Sequence, residues 1–209
     1  QRKVRILNGA HTCMVPGAFL SGQKIVRDCM EDPVLYGFLH KAVHEEIIPT
    51  LTLPAEELAD FADSVEERFR NPFIDHALLS ITLNCTAKWR ARVLPSLVAF
   101  YEKNGSLPVC LTASLALYLA FYHGRTLTEE GLVGNGPDGE YLIRDDKKVL
   151  EFFHAHRNDP PDELVRAVCK RTDYWGMDLT SLPGLEEAVC DDLKQIERDG
   201  AYELIRRTL

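Results

Sequence analysis

The chain has 209 residues, enough for one large domain or two small ones with a buried core. Its 24 Lys and Arg residues against 32 Asp and Glu residues give a net charge of −8, which argues for solubility and against a general binder of nucleic-acid backbones. No apolar run approaches the roughly 18 residues of a membrane span, and the six cysteines form no C-x-x-C pair, so we expect a cytoplasmic protein with reduced, buried thiols.

Helix-start signals punctuate the first half of the chain. Asp32-Pro33 joins an N-cap residue to a proline at the first helical position and predicts a helix over Val34–Ile48. Pro54 opens a second helix, PAEELADFADSVEERF, with acids in its first turn and apolar residues at helical spacing. Asn71-Pro72 repeats the cap-and-proline signal and predicts a helical segment that continues to about Thr86.

The remaining text also favours helices, and period-2 strand patterns are nearly absent. The segment LTASLALYLAFY is apolar on almost every side, which predicts a helix at the centre of the domain. A polar, glycine-rich stretch follows and is expected to be one long loop. Gly200 is expected to break the last helix. The predicted fold class is therefore all-α, with helices over 87–103, 111–122, 146–157, 161–171 and 185–207 and the loop over 123–146.

The loop contains Gly134-Asn-Gly136-Pro-Asp-Gly139, which matches the letters of a dinucleotide-binding motif. That motif needs an apolar strand before it and a helix opening inside it, so that backbone N–H groups point at the pyrophosphate. Here the preceding residues are polar, and Pro137 removes one donor. We interpret the motif as a turn, and no cofactor-binding residue is predicted in this chain.

Histidines occur in two pairs. His40 and His44 are four apart on a predicted helix, a spacing that can present two imidazoles to zinc. No third ligand is apparent, and the order of residues is not H-E-x-x-H, so we interpret the pair as a helix face and expect no metal. His154 and His156 are two apart and point to different helix faces.

A basic stripe lies in NCTAKWRARV, where Lys88 and Arg92 are one helical turn apart. Two interpretations stay open: the stripe pairs with surface carboxylates of this acidic chain, or it lines a pocket for an anion. His76 lies in the preceding segment and is a candidate for the same pocket, although spacing alone favours a capped surface helix.

The segment KVRILNGAHT carries Lys3, Asn8 and His11. Asn8 and His11 are three apart and share a helix face. If the Lys3 side chain folds back over the first turn, all three groups converge on one small polar substrate. A lysine can move the proton of an alcohol while amide and imidazole groups hold the oxygen. A basic terminal residue before a partly buried helix explains the same letters.

Lys3-x-x-x-x-Asn8-x-x-His11 resembles the catalytic signature of the mannitol dehydrogenase family, the polyol-specific long-chain dehydrogenases. The wider text is similar to the uronate branch of that family, the tagaturonate reductases. The blocks that carry this resemblance are KVRILNGAHT, EEIIPTL, RFRNPFIDHALLSI, AKWRARVLPSL and DLTSLPGLEEAV.

The resemblance implies a two-domain enzyme in which an N-terminal Rossmann domain, absent from this chain, binds NAD. Residues 1–209 would form the multihelical C-terminal domain, of the type found in 6-phosphogluconate dehydrogenase. By resemblance, Lys3 is the general acid/base, Asn8 and His11 hold the substrate oxygens, and no metal is required. Lys88 falls where the family places a substrate-binding residue, and His76 and Arg92 are further candidates.

The implied substrate is a sugar acid, tagaturonate or altronate, because lysine and arginine suit its carboxylate. Ser80 stands where we expect mannitol dehydrogenases to carry an arginine, which weighs against mannitol. The alternatives are a fructuronate reductase, a mannitol or polyol dehydrogenase, a helical interaction module without catalysis, and a metal-dependent hydrolase using His40 and His44. The isolated domain is expected to be inactive and to bind NAD poorly, and no nucleic-acid or membrane partner is expected.

Overall fold

The computed structural model describes residues 3–209 and confirms a mainly helical fold with one small sheet. Two π-helical turns occur, Lys3–Asn8 before the first α-helix and Ala42–Ile47 after the third. Short 3₁₀ turns span Ile48–Thr50 and Leu179–Ser181. The α-helices are α1 (Gly9–Leu20), α2 (Val26–Glu31), α3 (Pro33–Lys41), α4 (Ala55–Phe69), α5 (Leu78–Ile81), α6 (Cys85–Arg92), α7 (Leu94–Asn104), α8 (Val109–Phe121), α9 (Lys147–Ala155), α10 (Pro161–Cys169), α11 (Thr172–Trp175), α12 (Leu185–Asp199) and α13 (Ala201–Arg207).

Helix α8 is the centre of the core, as its sequence predicts. It is buried on nearly every side, and α1, α12 and α13 pack against it. A helix that is apolar all round has no face to offer to solvent, so its neighbours must cover it completely. The six cysteines are free and buried, as expected. Of the helices within residues 3–209, none is long and apolar enough to cross a membrane.

Glu46 lies in the second π-helical turn and caps the first turn of α8. Its side chain is 3% exposed, and its two carboxylate oxygens accept hydrogen bonds from the backbone N–H groups of Cys110 (2.8 Å) and Leu111 (2.9 Å). The first N–H groups of a helix have no partner within the helix. Glu46 therefore satisfies two donors that the start of α8 would otherwise bury unpaired.

We expect Glu46→Ala to lower the free energy of unfolding by about 1–3 kcal/mol for each buried donor it leaves unpaired. Urea unfolding followed by circular dichroism measures this change. The neighbouring Glu45 is exposed, so Glu45→Ala is the matched control and should change stability by less than about 0.5 kcal/mol. Equal losses in the two variants would contradict the role of Glu46 as a cap.

The predicted loop over 123–146 is wrong, because this segment forms an antiparallel sheet of three strands. The strands are β1 (Gly124–Leu127), β2 (Leu132–Gly136) and β3 (Gly139–Ile143), paired in the order β1-β2-β3. In β2 and β3 the buried residues are Leu132, Gly134, Tyr141 and Ile143. The alternation of buried and less buried residues is therefore limited to a few positions. Such a short pattern among polar residues is a weak strand signal.

The glycine motif in this sheet is a turn, as interpreted. Gly136 pairs with Gly139 at the end of the β2–β3 hairpin, and no helix opens within the motif. A Cβ added at Gly134 would lie 2.6 Å from Cζ of Tyr141, so a glycine there makes room for the Tyr141 ring. That ring packs edge-on against Phe19, and its hydroxyl donates to the carbonyl of Phe121. The glycines thus serve the packing of the hairpin on α1 and α8.

The predicted helix from Asn71-Pro72 to about Thr86 is also wrong. Residues 71–77 are largely irregular, and their end pairs with the start of α2: Val26 N–H donates to the His76 carbonyl at 3.0 Å. The carbonyl of Lys24 accepts from Leu78 N–H at 2.9 Å. Asn84 then takes a left-handed conformation, with φ of 54°, which separates α5 from α6. His76 accordingly lies before α5 rather than within a helix.

Candidate functional site

The N-terminal segment begins with an uncommon helical geometry. Lys3–Asn8 is a π-helical turn that runs directly into α1, so Lys3 starts the helical segment instead of preceding it. In an α-helix, residues five apart point about 140° away from each other. In a π-helical turn the hydrogen bonds join residues five apart, which aligns the backbone of Lys3 with that of Asn8. The turn therefore brings Lys3 and Asn8 closer to one face than an α-helix would.

Interactions with distant segments fix this turn. Ile6 is fully buried, and Arg5 Nε donates to Ser96 Oγ at 2.7 Å. The turn packs against α4 and α6. At its end, a Cβ added to Gly9 would lie only 3.1 Å from the carbonyl oxygen of Arg92, so the glycine permits close approach to α6. The first residues of the chain are thereby held beside the basic helix.

His11 lies in the first turn of α1, in a mostly apolar setting. Its ring stacks on Phe69 at the end of α4, with centroids 4.1 Å apart and 15° between the planes. The ring of His76 meets it edge-on at 5.5 Å. Within the described residues, His11 Nε2 is buried and has no hydrogen-bond partner. A buried, unpaired ring nitrogen is available to bind a group that enters the site.

A cavity of about 190 Å³ opens beside this ring. Apolar side chains from several segments form most of its wall, and two histidines and one arginine supply the polar part. The lining residues are Leu7, His11, Val26, Arg68, Phe69, Ile74 and His76.

The charge of His11 is controlled by its surroundings. Burial lowers its pKa to about 3, and the nearby positive charges of His76, Arg92 and Lys88 act in the same direction. His11 is therefore neutral at neutral pH, and its ring can accept or donate a hydrogen bond according to the tautomer. Because its pKa is so low, the ring is a weak base, and it suits holding a substrate oxygen better than removing a proton.

We expect His11 to make the folded protein less stable in acid. The unfolded chain binds a proton at this residue below its ordinary pKa of 6.5, whereas the folded chain does so only near 3. The free energy of unfolding should therefore fall as the pH drops from about 6.5 towards 3. Urea unfolding between about pH 7 and pH 4 should show a smaller fall in His11→Phe than in the wild type. Identical pH dependence in the two proteins would contradict the burial of a neutral His11.

Lys88 and Arg92 lie one turn apart on α6. Lys88 Nζ donates to the Ile81 carbonyl at 2.8 Å, and Arg92 Nη1 lies 3.4 Å from Thr12 Oγ1. Burial lowers the pKa of both side chains, and in Lys88 the charge of Arg92 adds to the effect. Across residues 3–209, neither side chain forms an ion pair with a carboxylate within 4.0 Å. Of the two interpretations of the stripe, an anion-binding surface fits these two residues better.

Arg90, between them in sequence, faces elsewhere. Its Nη1 lies 3.4 Å from the Asp173 carbonyl, and its guanidinium packs beside Gly176 after α11. The stripe is thus split: Arg92 contacts α1, Lys88 contacts the end of α5, and Arg90 contacts α11.

The structure accordingly brings His11, His76, Lys88 and Arg92 into one region, with Lys3 exposed at the start of the adjoining turn. Asn8 is half-buried where the turn meets α1. Sequence reasoning missed Phe69 and Arg68, because both lie on a helix distant along the chain. Their apolar-and-basic pattern at the end of α4 resembles that of any amphipathic helix.

The pair His40 and His44 gains a third member in Glu66 of α4. Glu66 Oε1 lies 3.2 Å from His40 Nδ1 and 3.4 Å from His44 Nε2, while its Oε2 accepts from the Tyr36 hydroxyl at 2.9 Å. Although burial acts to raise it, the polar groups of His44, Tyr36 and His40 that face the carboxylate lower the pKa of Glu66 to about 2. The carboxylate is therefore ionised at neutral pH. The spacing of His40 and His44 does not predict Glu66 as a partner, because Glu66 lies on a different helix. The second pair does not gather such a partner set, since His156 forms a pair with Asp159 alone, at 2.6 Å.

Comparison with known proteins gives matches over nearly the whole chain. A family model described as the mannitol dehydrogenase C-terminal domain matches residues 1–197. The altronate oxidoreductases of Escherichia coli (strain K12) and Shigella flexneri are each 45% identical over 212 aligned residues. These alignments cover 99% of this chain but 42% of each relative, so the chain spans less than half the length of these proteins.

Two solved structures share the fold. Mannitol 2-dehydrogenase of Pseudomonas fluorescens, in a ternary complex with NAD and D-mannitol, matches with a TM-score of 0.84 at 19% identity, over 99% of this chain and 39% of that one. A substrate-free D-sorbitol dehydrogenase matches with a TM-score of 0.76 at 23% identity, over 98% of this chain and 40% of that one. At these identities the likeness concerns the fold.

Proposed function

This chain belongs to the mannitol dehydrogenase C-terminal domain family, and we propose that it is the substrate-binding and catalytic domain of an NAD-dependent oxidoreductase that interconverts tagaturonate and altronate. The observation that carries the proposal is the cluster of His11, Lys88 and Arg92 beside the turn that begins at Lys3. The 45% identity to altronate oxidoreductases favours the uronate as substrate. The domain is proposed to act in the cytoplasm.

We assign NAD binding mainly to an N-terminal Rossmann domain of the full-length protein. Within residues 3–209, the G-x-G-x-x-G letters form a β-hairpin whose glycines accommodate Tyr141, so this motif does not fit a dinucleotide. The relatives, of which the chain covers 42%, have room for another domain. When bound there, NAD would accept or return the hydride, and this chain would handle the proton and hold the substrate.

Exposed apolar side chains support contact with such a domain. Phe73 is 93% exposed and Ile74, which lines the cavity, is 59% exposed; Val4 in the π-helical turn is 43% exposed. Large exposed apolar side chains are typical of a surface that another domain covers, and one of these three lines the cavity. Such a cover would exclude water from Lys3 and His11, which strengthens their electrostatic interactions with a substrate.

In altronate oxidation, we propose that Lys3 accepts the proton of the reacting hydroxyl while the hydride leaves the same carbon. Asn8 and His11 hold the oxygen on which negative charge develops. The neutral state of His11 is compatible with this role, because one ring nitrogen of a neutral imidazole carries a hydrogen and can donate it to the oxygen. In the reverse direction, Lys3 returns the proton to the carbonyl oxygen of tagaturonate.

Lys88 and Arg92 are proposed to bind the carboxylate of the sugar acid, with His76 at the edge of the same pocket. A substrate carboxylate would give these two cations the acidic partner that they lack among the described residues. Arginine and lysine form charge-assisted hydrogen bonds with carboxylates, which are stronger than neutral ones.

We expect Arg92→Gln to lower kcat/KM for altronate roughly 10–100-fold in the full-length protein, the effect of losing one hydrogen bond to a charged group. Arg92→Lys keeps the charge and should retain more activity than Arg92→Gln. Arg90→Gln, on the same helix but facing α11, is the matched control. Steady-state kinetics tests the set, and an equal loss in Arg90→Gln would refute carboxylate binding by Arg92.

A further inference from the structure

A compact group of metal-ligand side chains lies where three helical elements meet. His40 comes from α3, His44 from the π-helical turn Ala42–Ile47 and Glu66 from α4. Glu66 is only 5% exposed, although carboxylates are rarely buried without compensation. His40 remains open to solvent, with 47% of its side chain exposed, so an ion can reach the group.

Two of the three distances in this group match a tetrahedral site. Bonds of about 2.0–2.1 Å from zinc to nitrogen or oxygen place neighbouring ligand atoms roughly 3.3–3.4 Å apart. Glu66 Oε1 lies 3.2 Å from His40 Nδ1 and 3.4 Å from His44 Nε2, so two of the three separations already have that length. All three ligand atoms lie within 4.8 Å of one another.

Two further observations favour a ligand over a hydrogen-bonded cluster. Within the described residues, His44 Nε2 is shielded from solvent and makes no hydrogen bond of acceptable geometry, although it faces Glu66 Oε1. The imidazole rings of His40 and His44 stack nearly face to face, with centroids 4.2 Å apart and 27° between their planes. His44 Nε2 faces Glu66 Oε1 at 3.4 Å and Asp63 Oδ1 at 3.9 Å without a well-aligned hydrogen bond, and a cation bound between these groups would account for that arrangement.

The surroundings orient the carboxylate for this purpose. The Tyr36 hydroxyl and, at 4.0 Å, the Arg70 guanidinium lie at Glu66 Oε2, which leaves Oε1 directed towards the histidines. Hydrogen bonds of this kind fix the orientation of metal ligands in proteins. Asp63 Oδ1 lies 3.9 Å from His44 Nε2, where it can bind the ion or a water on it.

We propose that His40, His44 and Glu66 bind one divalent cation of the zinc class, with water or Asp63 completing a tetrahedral site. Imidazole and carboxylate ligands suit this class of ion. The cation joins α4 to the segment formed by α3 and its π-helical turn. Because α4 ends at Phe69, which stacks on His11, the ion stabilises one wall of the cavity described above. The site is structural and has no part in the proton transfer.

Cobalt(II) is the probe for this site, because tetrahedral Co²⁺ gives intense visible absorption bands. Titration of the metal-stripped chain should show binding of one equivalent of Co²⁺, competition by Zn²⁺ and a rise in Tm. His40→Ala and Glu66→Gln should each weaken binding by more than the roughly 10–100-fold expected for loss of an outer-shell partner. Glu66→Gln keeps an acceptor for Tyr36, and far-UV circular dichroism would check that both variants fold.

His156→Ala is the matched control. It removes a histidine–carboxylate pair, with 2.6 Å between His156 Nδ1 and Asp159 Oδ2, that has no third ligand among residues 3–209. It should leave Co²⁺ affinity and spectrum unchanged. Absence of saturable Co²⁺ binding by the wild-type chain would overturn the proposal. Binding that persists in both His40→Ala and Glu66→Gln would overturn it as well.

Discussion

Lys3→Ala in the full-length protein should lower kcat for altronate oxidation by about 10²–10⁴-fold, the typical contribution of a general acid–base group. Alanine cannot accept the hydroxyl proton, and water would have to replace the lysine in a site from which the proposed N-terminal domain would exclude it. The loss should appear in kcat more than in KM, because proton transfer is a feature of the transition state. Stopped-flow measurement of NADH formation separates the chemical step from product release.

Lys24→Ala is the control for this variant. Lys24 is exposed and lies beyond the end of α1 that is opposite to the π-helical turn. Its Nζ is 3.6 Å from Asp138 Oδ2, an exposed ion pair. Its loss should leave kcat unchanged within a factor of about two. Wild-type turnover in Lys3→Ala would remove Lys3 from the catalytic role.

His11→Phe should lower kcat by about 10²–10³-fold, comparable to the loss of one oxyanion-stabilising donor. Phenylalanine keeps an aromatic ring to stack on Phe69, so packing is preserved while the ring nitrogens are lost. His11 is neutral at neutral pH and does not titrate near pH 6.5. The pH profiles of kcat for the wild type and His11→Phe should therefore have the same shape around pH 6.5.

His156→Phe tests whether any histidine on the surface has the same effect, and it should retain wild-type kcat. A His11→Phe enzyme that turns over altronate at the normal rate would contradict a role for the imidazole in holding the substrate oxygen. A large loss accompanied by unfolding, detected by circular dichroism, would instead assign His11 to stability, against the role proposed here.

Local signals were sufficient for most of the helices. Asp32 accepts from the N–H groups of Val34 and Leu35, as a cap followed by proline predicts, and the helix that starts after Pro54 ends at Phe69. Gly200 breaks the last helix between α12 and α13. Each of these features depends on residues within one or two turns, so the sequence alone contains the information.

Features that depend on distant partners were missed. The π-helical turn at Lys3–Asn8 is held by Ser96 and Thr50, which are far away in sequence. The Asn71-Pro72 signal fails because the end of that segment pairs with residues 24–26 at the start of α2. In each case a tertiary contact overrides the local preference, as is common for short segments.

The candidate site divides in the same way. Lys88 and Arg92 share a helix face, which their spacing predicts, and Asn8 and His11 are close along one segment. The stacking of Phe69 on His11 and the approach of Glu66 to His40 and His44 depend on where α4 packs. Helix packing is set by side-chain shape across the whole interface, and spacing within one helix does not reveal it.

The central claim is that this domain gives a uronate-specific oxidoreductase its substrate pocket and its proton-transfer group. The most direct test compares kcat/KM of the full-length protein for altronate, mannonate and mannitol with NAD. The account predicts that altronate is the preferred substrate, with mannitol the poorest because it has no carboxylate for Lys88 and Arg92 to bind. A preference for mannonate or mannitol, or the absence of NAD-dependent oxidation of all three, would contradict it.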